Sequence, residues 1–156
     1  MKAKKIIGKL LTAFLLVSVG VAIGKELAAR NTPSSPGPVA ASGGKRVVVY
    51  YMHGIPCVTC TFIEKTAETL VHEEFADAVA AGTMEFISLN YLEPENAALA
   101  DKYNVGSNMV IATRFEAGKE AAHVRLDGVM ELASNADGLK DYLRKGIRGA
   151  LEGGGQ

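Results

Sequence analysis

The spacing of apolar side chains changes period abruptly at Gly54-Ile55-Pro56, and that change constrains the fold more than any other feature of the chain. Upstream, Lys45 to His53 reads KRVVVYYMH, β-branched and aromatic almost throughout, the composition of a strand buried on both faces. Downstream, from Cys57, the apolar positions Val58, Phe62, Ile63, Leu70, Val71, Phe75, Ala78 and Val79 recur at helical spacings. The pattern predicts one helix ending at Gly82, since glycine suits the position just past a C-terminus. A strand that feeds a helix directly is the opening of a β-α-β unit.

The rest of the chain continues that unit. Thr83 to Tyr91 is a second strand, alternating Met84, Phe86 and Ser88 with Glu85, Ile87 and Leu89. Pro94 can begin a short helix filled by Ala97, Ala98, Leu99, Ala100 and Tyr103, and Asn104 to Asn108 reads as a mostly polar turn. Met109 to Phe115 and Ala121 to Leu126 are strands joined at Glu116-Ala117-Gly118-Lys119, a hairpin loop. Leu132 to Leu151 places Leu139, Tyr142, Leu143, Ile147 and Leu151 on one helical face, and 152–156 is a glycine-rich tail. The expected domain is therefore 45–151, an α/β fold in the order β-α-β-α-β-β-α, with two parallel crossovers, a hairpin and a closing helix.

Charge is divided along the chain. Up to residue 44 there are six basic side chains against Glu26 alone, a net of +5, which leaves 11 basic and 16 acidic side chains beyond it, a net of −5. A body that acidic is a poor nucleic-acid binder. Behind the basic start, Leu10 to Ile23 reads LLTAFLLVSVGVAI without a charge, so 1–30 is a membrane anchor or a signal sequence. A span from Ile6 to Leu27 requires Lys9 and Lys25 to extend their ammonium groups to the two interfaces. Cleavage is the other reading, because Gly20-Val21-Ala22 and Ala22-Ile23-Gly24 both offer a small-x-small pattern. Either way the positive flank stays in the cytoplasm and the rest is exported. The expected location is a bacterial inner membrane, single-pass, with the domain facing the periplasm or cell exterior; the alternative is a soluble secreted protein. Asn31 to Gly44, NTPSSPGPVAASGG, is a linker rich in Pro, Ser and Gly.

The chemistry concentrates in the two cysteines, Cys57 and Cys60, separated by Val58-Thr59 at the strand-to-helix junction. One turn of helix apart, they can close a small-ring disulfide. The unpaired amides and positive dipole end of a helix N-terminus stabilise a thiolate, which makes Cys57 the nucleophile and Cys60 its resolving partner, exchanging disulfides with a client protein through a mixed disulfide. His53 and Pro56 flank the pair and can tune it. Two other classes compete: a Cu(I) carrier using Cys57, Cys60 and His53, with Met52 or Met109 as thioether, and a non-enzymatic interaction domain with a structural disulfide. Zinc fits less well, because a closed site needs four ligands. His72 and His123 read as surface or structural, and no glycine-rich phosphate loop occurs.

Strand, CxxC, helix, strand, helix, hairpin and helix together resemble the thioredoxin-like superfamily, over roughly Lys45 to Leu151. That resemblance implies a three-layer α/β/α fold and a protein-disulfide oxidoreductase without a cofactor. More narrowly, Val49-Tyr50-Tyr51-Met52-His53-Gly54, Cys57-Val58-Thr59-Cys60, Ile63-Glu64 and Tyr91-Leu92-Glu93-Pro94-Glu95-Asn96 resemble the ArsF-type family, labelled a nitrophenyl compound nitroreductase subunit, of exported or membrane-anchored proteins. Nothing in the chain supplies a flavin-binding or nitro-reducing site. The family resemblance implies a partner of another kind, a multi-span membrane thiol-electron conduit. It also marks departures: Pro56 stands where thioredoxins carry tryptophan, Tyr51 and Ser88 stand near the places of the buried acid and its lysine, and Met109 or Val110 falls where the cis-proline faces the CxxC.

Overall fold

The computed structural model describes residues 44–153. The expected membrane segment at 1–30, all but the last residue of the linker at 31–44 and the end of the tail lie outside the described residues. Among the described residues no helix is long and apolar enough to cross a membrane.

Strand β1 (Lys45–His53) occupies an interior position in a four-stranded sheet, with β2 (Met84–Asn90) on one side and the hairpin of β3 (Met109–Glu116) and β4 (Lys119–Leu126) on the other. Its sequence explains that position, because Val47, Val48, Val49, Tyr51 and Met52 have apolar partners to find on both faces. Val47, Val49 and Tyr51 face a core closed by α1 (Val58–Glu74) and α4 (Ala136–Glu152), whose Ile63, Ala67, Leu70, Val71, Leu139, Leu143 and Ile147 are buried there. Met52 faces a second core on the opposite side with Met109, Ile111 and Tyr103, which follows α3 (Ala97–Lys102). The domain thus has three layers, helices on both faces of a mixed sheet.

One expected connection is different. β1 and β2 are parallel, but β3 is antiparallel to β1, with Met52 opposite Met109 and Lys45 opposite Glu116. The second crossover is therefore not a parallel one. A parallel return would have to recover the length of a seven-residue strand, about 23 Å, and the six-residue α3 rises only about 9 Å. The chain instead stays at the end of the sheet where β1 and β2 finish and starts β3 there.

The long helix predicted to run to Gly82 is broken at Phe75, which has φ −117° and ψ 26°, and resumes as the short α2 (Ala76–Ala80). Gly82 then does what its position suggests: at φ 68° it lets its own N–H reach Val79 O and the Thr83 N–H reach Ala78 O, closing the helix end. The hairpin turns on Ala117 and Gly118, both at positive φ. The last helix starts later than Leu132, at Ala136, because Asn135 caps it by accepting from Gly138 N–H, and it runs through Glu152 to Gly153. Leu151, expected on the buried face, is exposed.

Candidate active site

The directions of β1, β2 and β3 bring three chain segments to one end of the sheet: the loop after β1, the loop after β2 and the residues just before β3. Cys57 and Cys60 sit there and form a disulfide, with Cα atoms 5.0 Å apart. Cys57 is the N-cap of α1 and not its first helical residue: its Sγ accepts from Cys60 N–H at 3.0 Å, as a serine or aspartate oxygen would, and its carbonyl accepts from Thr61 N–H. That amide hydrogen bond and the helix dipole both favour negative charge on Cys57 Sγ once the disulfide is opened. Cys57 is exposed, whereas Cys60 is buried at 6%. The outer sulfur is open to solvent and the inner one is not.

Two apolar residues of the helical pattern, Val58 and Phe62, are found on the surface next to the CxxC. Val58 is 90% and Phe62 39% exposed; Ile55, in the loop before Cys57, is 80% exposed, and Leu92, in the loop after β2 at the same end of the sheet, is 59% exposed. Helical spacing alone counts Val58 and Phe62 as core; the turn phase set by Cys60, Ile63 and Ala67 puts them on the opposite side.

Beneath Cys60 lies Tyr51, fully buried, whose hydroxyl donates to Cys60 O at 3.0 Å. Burial pushes this phenol up to about 12, the Glu64 carboxylate adds to the rise, and a hydrogen bond with Asn108 opposes it. Burial raises Tyr103 in the second core as well, where its hydroxyl accepts from Thr113 and donates to Glu120. Because the folded pKa values lie above the unfolded value of 10.0, the stability these phenols carry is complete below pH 10 and is lost as pH rises through the folded value. The unfolding midpoint in urea should therefore hold steady from neutral pH and fall between pH 10 and about 12, with a smaller fall in Tyr51→Phe. A midpoint that stays level through that window would contradict neutral buried phenols.

The flanking residues expected to tune or ligate have definite places. Pro56 is exposed immediately before the N-cap. His53 is not brought to the sulfurs: its ring stacks on Tyr51 at 5.8 Å and its Nδ1 lies 3.1 Å from Gly54 O. Met52 and Met109 are packed in the second core and Val110 in the first. The residue before β3, Asn108, places its Nδ2 3.0 Å from Cys60 Sγ. No cis peptide bond occurs among the described residues. Nor do three or more His, Cys, Asp or Glu side chains come together there in a way that could hold a metal. The Cu(I) set of Cys57, Cys60 and His53 is not assembled. His72 is exposed on α1, and His123 is half-buried against Glu120 and the edge of Tyr103.

The motif residues after β2 shape the same end. Tyr91 N–H donates to His53 O, and the Tyr91 ring lies so close to Gly54 that a Cβ there would come within 2.7 Å of its hydroxyl. Asn96, buried at 7%, donates to Asn90 O and holds the loop that presents Leu92.

No protein-family profile and no curated protein matches the chain. Solved structures similar to it include a thioredoxin from Trypanosoma brucei brucei, 21% identical over 68% of this chain and 79% of that one, with a TM-score of 0.41. The oxidised thioredoxin from Plasmodium falciparum is 18% identical over 64% of this chain and 80% of that one, with a TM-score of 0.40. Fasciola hepatica thioredoxin is 19% identical over 67% of this chain and 84% of that one, with a TM-score of 0.38. This chain itself combines the sheet order β2-β1-β3-β4, an antiparallel β3 and a CxxC at the head of α1. The fold is thioredoxin-like.

Proposed function

We propose that the protein is a thiol-disulfide oxidoreductase that exchanges disulfides with a client protein, Cys57 forming the mixed disulfide and Cys60 resolving it. The observation that carries this reading is the Cys57–Cys60 disulfide at the N-terminus of α1, with one sulfur exposed at the N-cap and the other buried behind it. The exposed Ile55, Val58, Phe62 and Leu92 suit a client's apolar side chains beside the sulfur that would react. In the same reading, the resemblance to the ArsF-type family and the uncharged run Leu10 to Ile23 make the protein membrane-tethered, its domain on the outer face of a bacterial inner membrane, with a multi-span thiol-electron conduit as its redox partner. Release of the same domain by signal cleavage leaves the chemistry unchanged.

The test is alkylation of the reduced protein with iodoacetamide, followed residue by residue by mass spectrometry. At about pH 6, where an ordinary thiol is almost wholly protonated, Cys57 should be carboxamidomethylated at least about tenfold faster than Cys60. A reduced protein in which neither cysteine labels would leave the disulfide a structural one.

A further inference from the structure

Two sulfurs share the disulfide, and each has its own N–H donor. Cys57 Sγ has the backbone amide of Cys60. Cys60 Sγ has the side chain of Asn108, 48 residues away, and among the described residues no other N–H group reaches it; Ile55 O, which faces it at 3.8 Å, can only accept. The orientation of the Asn108 amide is decided by its other end. Gly54 N–H donates to Oδ1 at 3.0 Å, so the oxygen is committed to Gly54 and the NH2 group must point at the sulfur. Asn108 is half-buried and held between two fixed backbone segments, so the donor is in place before the sulfur acquires charge.

We propose that Asn108 is a catalytic residue, its Nδ2–H stabilising the thiolate of Cys60 in the resolving step. The assignment rests on thiol exchange at Cys57 and Cys60. In that step the Cys60 thiol has given its proton to water; its thiolate attacks Cys57 Sγ of the mixed disulfide, the Cys57–Cys60 bond forms, and the bond from Cys57 to the client breaks, the client sulfur leaving with the electron pair. The client is reduced and the CxxC oxidised. In reverse, a client thiolate attacks Cys57 Sγ and Cys60 leaves as the thiolate. By microscopic reversibility the same charge on the same sulfur meets the same N–H in both directions, so the role of Asn108 does not depend on which way electrons flow.

The test mixes the reduced protein with one equivalent of a bis-nitrobenzoate disulfide and follows the two equivalents of coloured thiolate by stopped flow. The first is released when Cys57 attacks, the second when Cys60 resolves. Asn108→Asp keeps an oxygen for Gly54 N–H and the side-chain shape but removes the donor; Asn108→Ala removes the whole amide, with its contacts to Gly54, Cys60 and Tyr51. Both variants should keep the first phase and slow the second by about 10- to 100-fold, the range expected when a charged group loses a hydrogen bond. Circular dichroism and the melting temperature confirm the fold. An Asn108→Asp protein with an unchanged second phase overturns the role of Asn108 while leaving thiol exchange standing, and equal slowing of both phases reduces Asn108 to an anchor for Gly54. A native protein that releases no thiolate at all withdraws thiol exchange, and the role of Asn108 with it.

Discussion

In the Cys60→Ser variant, reaction with a client is expected to stop at the mixed disulfide and leave a covalent adduct through Cys57. The reason is the division of the two sulfurs by burial. Cys57 is exposed at the N-cap and Cys60 is 6% exposed behind it, so a client disulfide reaches only the first. In the native chain the second thiol lies one helical turn away, and intramolecular attack outruns any thiol in solution. With a hydroxyl in place of that thiol the advantage is gone, and millimolar external thiols must resolve the adduct, lengthening its life by about a thousandfold or more. Non-reducing gels and mass spectrometry of adducts from an extract, or with glutathione disulfide as a minimal client, give the answer. Cys57→Ser should give none. Equal trapping by the two single variants would contradict the assignment of nucleophile and resolver.

The cysteines were legible because their signal is local: a CxxC where a strand pattern becomes a helix pattern needs no tertiary knowledge to place. Asn108 was not, because its importance is created by register. It precedes Met109, which pairs with Met52 at the end of β1 just before Gly54, and only an antiparallel β3 puts that residue beside the disulfide. Two parallel crossovers would carry the start of β3 to the far end of the sheet. Composition gives no hint, since Asn104 to Asn108 contains the ordinary residues of a turn. The surface position of Val58 and Phe62 was hidden for another reason. Apolar periodicity identifies the buried face only once its phase is known, and here Cys60, Ile63 and Ala67 set that phase against Val58 and Phe62.

Strand positions came through with little change, β1 at Lys45–His53 without any, because alternating or continuous β-branched runs bounded by Gly and Pro are marked on both sides. Helix ends depended on single side chains and backbone angles. Phe75 interrupts a periodic stretch that carries no breaker, and the Asn135 cap delays a helix whose apolar pattern begins earlier. Composition and period say which face is buried; they do not say how closely two elements approach.

That closeness decides the effect of Gly146→Ala. In an exposed helix the change should stabilise by up to about 1 kcal/mol, since alanine is the better helix former. Gly146, however, is buried where α4 crosses β4, and a Cβ there would lie 2.3 Å from Leu126 Cδ2, 2.7 Å from Cδ1 and 2.9 Å from Cγ. Leu126 is itself 3% exposed in the first core, among Val110, Val129, Leu143 and Ile147, so it cannot swing into solvent to make room. Either Leu126 leaves its rotamer or α4 lifts from the sheet, and overpacking of this kind costs about 1–3 kcal/mol, enough to outweigh the helix propensity. Urea denaturation should show Gly146→Ala less stable than the native protein. Adding Leu126→Ala should recover part of the loss relative to the sum of the single changes, because the cavity made by one substitution admits the methyl of the other. Strict additivity in that cycle, or a Gly146→Ala protein as stable as the native one, would mean that α4 and β4 are not in the contact that the glycine allows.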